Sequence, residues 1–279
     1  MAKIRLLANL NCDHVLLLND PLAAGGRLLY RDQGRRLGGG GANTGVGLLW
    51  AGHQVSIAAR VGNDDTGDWL CRQAAKLGLD VKQVEQFDGE TGELLVLVDS
   101  LGERTILRQH RRPALPGNLP IDPVDCLYVN HDGGEVGDYM TQMASHSLVV
   151  SQYPKAGRWA RPCQVMIASA ADLAPQPNLW EHARQLAGER LQWLVVTHGE
   201  QGAEAFSAEQ HIRVPSRPVS VVDATGAGDA FAGGLIHGLV SGLSMSATLI
   251  QAGQWAAYTL SSSSSIPSEQ LRSYLRRCG

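Results

Sequence analysis

At 279 residues, 44% apolar and 18% charged, the chain can form one large α/β domain, with or without a small appendage. A formal charge of −3 gives no cationic footprint for nucleic acid, and no apolar run approaches the ~20 residues of a membrane span. Five scattered cysteines (Cys12, Cys71, Cys126, Cys163 and Cys278), without C-x-x-C spacing, predict reduced thiols in a cytoplasmic protein, not disulfides or zinc ligands.

In chain order, the first residues run directly into an apolar strand pattern at 4–10, followed by Asn9-Leu10-Asn11-Cys12-Asp13-His14. Residues 15–37 show no good helical period and carry turn signals at Gly25-Gly26 and Gly34. A glycine cluster at 38–47 then leads into a helix over 42–50. A strand at 55–61, the turn Gly62-Asn63-Asp64-Asp65-Thr66-Gly67 and a helix over 67–77 come next, with Asp64 or a neighbour capping the helix. Residues 93–107 alternate as an antiparallel hairpin would, turning at 99–103. The two β segments, distant in sequence, predict a small sheet beside the main body.

Strands at 126–129, 148–153, 164–168 and 193–197 alternate with helices at 136–145 and 179–190; no clear helix lies between Tyr153 and Cys163. Several of these strands are apolar at consecutive positions, as strands covered on both faces are. The alternation predicts a mostly parallel sheet with helices on both faces. Two helices, over 229–239 and 245–260, lie beyond, and the five serines at 261–265 read as a loop before a terminal helix.

The most informative stretch is Val219-Ser220-Val221-Val222-Asp223-Ala224-Thr225-Gly226-Ala227-Gly228-Asp229, read as a β-branched strand, a glycine-rich turn and a helix start. Helix N-termini present unpaired N–H groups and partial positive charge, so this geometry suits an anion. Gly226 and Gly228 let backbone approach a phosphate, and Asp229 stands at the mouth to accept a proton. The short Gly-Ala-Gly-Asp alone also fits a turn whose Asp229 caps a helix. No Walker-type G-x-x-x-x-G-K-[ST] occurs, and no G-x-G-x-x-G follows the first strand.

Asp223–Asp229 resembles the D-T-x-G-A-G-D signature of the ribokinase-like (PfkB) carbohydrate kinases, with Ala224 where Thr is usual. Gly38 to Asn43 is similar to that family's G-G-x-x-x-N, and Thr197-His198-Gly199-Glu200-Gln201-Gly202 to its T-L-G-x-x-G turn. The resemblance implies a three-layer α/β fold over 1–279, a mostly parallel sheet with helices on both faces, plus a small β lid formed by about 12–37 and 89–110. It implies transfer of the γ-phosphate of ATP to a hydroxyl of a small sugar or polyol. Asp229 would be the base, and Gly226, Ala227 and Gly228 the anion hole. Asn11, Asp13, Gly39, Gly40 and Asn43 would hold the sugar, although an Asx turn after the first strand uses the same Asn11 and Asp13. Thr197, Gly199, Gly202 and Thr225 would hold the nucleotide, with adenine near 251–262. It also implies Mg²⁺, reached through water by Asp172, and a homodimer through the lid.

Several positions depart from the pattern. Ser169-Ala170-Ala171-Asp172 stands where many members carry N-x-x-E. Asn130-His131 replaces a substrate glutamate of ribokinase, and Gly40 replaces its lysine, so ribose specificity does not follow. Arg104, Arg108, Arg111 and Arg112 lie in or after the hairpin; one of them facing the site would favour an acidic or already phosphorylated sugar. A nucleoside kinase of the same family, expected to stack aromatic lid residues of which only Tyr30 is evident, and a catalytically weak sugar- or nucleotide-binding homologue are the alternatives.

Overall fold

Runs of consecutive apolar residues build the larger sheet, because its central strands are covered on both faces. The computed structural model describes residues 1–109, 114–133, 135–154, 159–173 and 178–278. Among them β1 (Lys3–Ala8) is the third strand from one edge of a nine-stranded sheet. To one side lie β4 (Gln54–Gly62) and β5 (Asp80–Phe87), both parallel to β1. To the other lie β8 (Cys126–Asn130), β9 (Leu148–Gln152), β10 (Val165–Ser169) and β11 (Trp193–Thr197), again all parallel. The edge is closed by β12 (Ala203–Phe206) and β13 (His211–Val214), which run antiparallel.

Alternate residues of the parallel strands feed two cores. Ile4, Leu6, Tyr128 and Val195 pack under α1 (Gly40–Trp50), α2 (Asp65–Lys76), α5 (Ala227–Val240), α6 (Met245–Leu260) and α7 (Glu269–Cys278). Leu7, Leu127, Val129 and Val149 pack under α3 (Val136–Met143) and α4 (Leu179–Ala187) on the opposite face. No helix among the described residues is long and apolar enough to cross a membrane.

The second sheet has four strands in the order β3-β2-β6-β7: β2 (Asn11–Leu18), β3 (Tyr30–Gly38), β6 (Glu93–Val98) and β7 (Arg104–Arg108). The hairpin expected over 93–107 is β6–β7. Its turn is set by Asp99, whose Oδ1 accepts the N–H groups of Leu101 (2.9 Å) and Glu103 (3.0 Å). The segment without helical period is β2–β3. Asp64 caps α2, accepting from Gly67 N at 2.7 Å, and also accepts from Thr91 N at 2.8 Å, which ties the small sheet to the main body.

Three sequence expectations need correction. Residues 219–222 form no strand: Val221 and Val222 are 62% and 63% exposed, and the chain follows the end of α6, Val222 N–H bonding Leu260 O at 2.8 Å. Their β-branched side chains have propensity but no neighbouring strand to pair with. The helix expected from 229 starts two residues earlier, at Ala227, because Gly226 takes the left-handed capping conformation (φ +80°). Asn11 and Asp13 lie within β2, not in a turn that closes β1. Strands β5, of eight residues, and β12 and β13, of four each, are additions that the apolar pattern did not single out.

Candidate active site

The turn between Asp223 and α5 is held from two sides. Asp223, with 1% of its side chain exposed, meets Arg104 of β7 at 2.6 Å and accepts from Thr225 N at 2.9 Å. Arg104 Nη1 also donates to Thr225 Oγ1 at 3.0 Å. One arginine of the small sheet thus grips both the first aspartate and the threonine of the turn. On the other side the backbone of Ser265 closes on Gly226, where any Cβ would collide with the Ser265 carbonyl.

At the helix start, Asp229 is aimed by two amides. Asn43 Nδ2 of α1 donates to Oδ2 at 2.8 Å, and Asn130 Nδ2, at the end of β8, lies 3.4 Å from Oδ1. Thr44 Oγ1 donates to the Asp229 carbonyl at 3.2 Å, fixing the backbone. Gly40 faces this cluster directly: a Cβ there would run into the Asn130 amide and lie 3.3 Å from Asp229 Oδ1. Glycine at 40 and asparagine at 130 therefore belong to one arrangement, two departures that share a steric cause.

Two cavities meet at Asp229. The smaller, about 280 Å³, lies between the small sheet and α1 and is lined by Asn11, Asp13, Gly39, Gly40, Asn43 and Thr225, together with Arg36 and Arg104. Asp13 Oδ1 is buried there without a hydrogen-bond partner among the described residues, and burial pushes the carboxyl up to about 6 even though Arg104 and Arg36 pull it down. The larger cavity, about 730 Å³, adds Gly228, Ser169, Asp172, Thr197 and Arg108 and extends along the tips of β8 and β9. Asn9, Asn11, Leu94, Asn130, Gly226 and Asp229 line both. Among the described residues Asp229 is the one carboxylate common to them.

Some expected site residues fall elsewhere. Ala227 contributes backbone at the helix start but lines neither cavity. Gly199 (φ +56°) and Gly202 (φ +97°) shape the turn after β11, and only Thr197 of that turn lines a cavity. None of residues 251–262 lines either cavity; Ala252 and Trp255 are core residues packed against α5. Tyr30 is 59% exposed and also stands outside both. Arg111 and Arg112 lie outside the described residues. Asn130, Arg36, Asp223 and Arg161 went unassigned in the sequence; Asp223 carried a signal as the first letter of its motif, and Asn130 as the replacement of a substrate glutamate, while Arg36 and Arg161 carried none.

The sequence profile of the pfkB family carbohydrate kinases matches residues 16–116 and 154–271, which is most of the chain. The uncharacterized sugar kinase YegV of Escherichia coli is 27% identical over 240 residues, covering 76% of this chain and 74% of its own. The ATP-dependent ribose-1-phosphate kinase of Halopiger xanaduensis is 25% identical over 251 residues, covering 85% and 84%. Among solved structures, Arabidopsis thaliana ribokinase complexed with ribose and ATP superimposes with a TM-score of 0.79 over 98% of both chains, at 17% identity. The chain belongs to the pfkB family of carbohydrate kinases.

Proposed function

We propose that the protein transfers the γ-phosphate of ATP to a hydroxyl of a small sugar or sugar derivative, with Asp229 as general base. The observation that carries this reading is the position of Asp229 where the two cavities join. The reacting end of the acceptor occupies the smaller cavity; the larger takes the nucleotide phosphates beside Gly228 and Thr197 and leaves its end at the tips of β8 and β9 to the rest of the acceptor. Asp229 takes the hydroxyl proton while the oxygen attacks phosphorus in line and the bond to the ADP oxygen breaks. Backbone N–H groups of Gly226, Ala227 and Gly228 at the start of α5 stabilise charge on the transferring group.

The unpartnered Asp13 Oδ1 suits a sugar hydroxyl, and Asn11 and Asn43 stand beside it in the same cavity. Thr197 lines the larger cavity on the phosphate side, and Thr225 lines the smaller one beside Gly226 and Asp229. The donor set fits a divalent cation held mostly by phosphate and water: Asp172 and Ser169 are at that wall, and no group of three metal-ligating side chains exists among the described residues. Such a cation would neutralise charge on the β- and γ-phosphates. The small sheet covers the acceptor and excludes water, a competing phosphoryl acceptor. Its exposed Ile106 and Leu107 suit pairing with a second copy in a homodimer.

The test is ADP release by the purified protein with ATP, Mg²⁺ and a panel of pentoses, hexoses, sugar acids, sugar phosphates and nucleosides. Release that depends on a sugar supports the reading. Release driven only by nucleosides moves the acceptor to that class, and none with any acceptor removes the reading.

A further inference from the structure

Arg161 lies between β9 and β10, 1% exposed, and lines the larger cavity. Neither its Nε nor either Nη has a hydrogen-bond partner among the described residues. Its ion pair to Asp132 Oδ1 is 3.9 Å long, too far for a hydrogen bond. Its backbone is pinned, the N–H bonding Leu186 O of α4 at 2.7 Å, which fixes where the side chain starts. A guanidinium has five N–H donors in a planar fork, and burying it unsatisfied is costly. Burial indeed lowers its pKa, with Asp132 offsetting part of the effect. The fork matches two oxygens of a phosphate or carboxylate.

The position of Arg161 favours the acceptor over the nucleotide. Asp132 follows β8, the neighbour of β1, whose end leads through Asn9 to the residues shared by both cavities. Arg161 packs beside α4, on the face of the sheet opposite α5 and α6, where the phosphate-binding turn lies. An acceptor whose reacting hydroxyl is at Asp229 would extend along the tips of β8 and β9 to reach it.

We infer that the acceptor carries an oxyanion, a phosphate or a carboxylate, and that Arg161 binds it at the end of the molecule away from the hydroxyl that is phosphorylated. This rests on the kinase reading. The oxyanion takes no part in the bond changes and serves to orient the acceptor.

The test compares kcat/KM for neutral sugars with that for their aldonates and monophosphates, in the native protein and in Arg161→Met and Arg161→Lys. The inference expects an anionic acceptor to be preferred. In Arg161→Met the anionic-to-neutral ratio should fall by roughly 10- to 100-fold, mainly through KM, with partial recovery in Arg161→Lys. Better turnover of the monophosphates identifies a phosphate as the group bound, and of the aldonates a carboxylate. Without ligand, Arg161→Met should melt no lower than the native protein, because an unsatisfied buried charge has been removed.

A ratio that is unchanged in Arg161→Met, or neutral sugars used as well as anionic ones, overturns the inference and leaves the kinase reading standing. A raised KM for ATP with neutral acceptors assigns Arg161 to the nucleotide and overturns it too, as does a melting point several degrees lower, which marks a structural arginine. If no acceptor releases ADP, calorimetry with the same sugar phosphates and aldonates decides. Binding lost in Arg161→Met upholds the anion site while the kinase reading falls, and no binding overturns the inference as well.

Discussion

The contact between Arg104 and Asp223 joins the small sheet to the turn before α5 across 121 residues of sequence separation to Thr225, and its removal has a calculable consequence. Replacing Arg104 with Met leaves a carboxylate that is 1% exposed with only the Thr225 N–H to satisfy it. Breaking one side of a buried ion pair costs about 3–5 kcal/mol. Arg104 itself is 27% exposed, so water can reach part of the gap and a loss of about 2–3 kcal/mol is expected. For a chain of this size that corresponds to roughly 4–12 °C in Tm.

The assay is a double-mutant cycle by urea unfolding, with Asp223→Asn as the second change. Once the buried charge is gone, Arg104→Met should cost about 1 kcal/mol or less, giving a coupling of at least ~1 kcal/mol. Equal costs in both backgrounds, or a single-variant loss under about 0.5 kcal/mol, would refute the idea that this pair fastens the small sheet. Arg104 also lowers the Asp13 pKa, so the same variant should move any acid limb controlled by Asp13 upward.

Other consequences can be measured independently. Asp13 titrates at about 6, so the acceptor KM should rise as pH falls through 6 while kcat stays flat, and Asp13→Asn should abolish that dependence. His53 donates or accepts across 2.8 Å to His237, and burial, reinforced by His237, depresses its pKa to about 4. The unfolded chain takes up that proton near 6.5, so stability from this group is whole above 6.5 and is lost as pH falls toward 4, by roughly 3 kcal/mol. The difference in unfolding free energy between native protein and His53→Gln should shrink over that window; a constant difference would contradict it. Gly40→Lys should drive a side chain into Asn130 and Asp229 and reduce kcat by about 100-fold or more, read in the ADP-release assay.

The fold and the family motif were legible because their signals are local. Consecutive apolar runs identify doubly covered strands, and seven adjacent residues, Asp223–Asp229, spell the motif. Val221 and Val222 show the limit of local propensity: they read as strand, yet no strand edge is available where the chain passes the end of α6. Asn130 looked like a missing substrate residue, whereas its amide lies against Asp229, 99 positions away. Arg104 could be flagged as one of four arginines, but which one faces Asp223 depends on the register of β6 with β7. Arg161 carried no sequence signal, since its isolation is a property of the packing around it.

The central claim, that Asp229 is the base, is tested most directly by Asp229→Ala with ATP and whichever acceptor supports ADP release. The account predicts that kcat falls by roughly 10²–10⁴-fold, while the Kd for ATP, measured by calorimetry, changes by no more than about 3-fold, because the proposed anion hole is backbone. A near-normal kcat in that variant would contradict it.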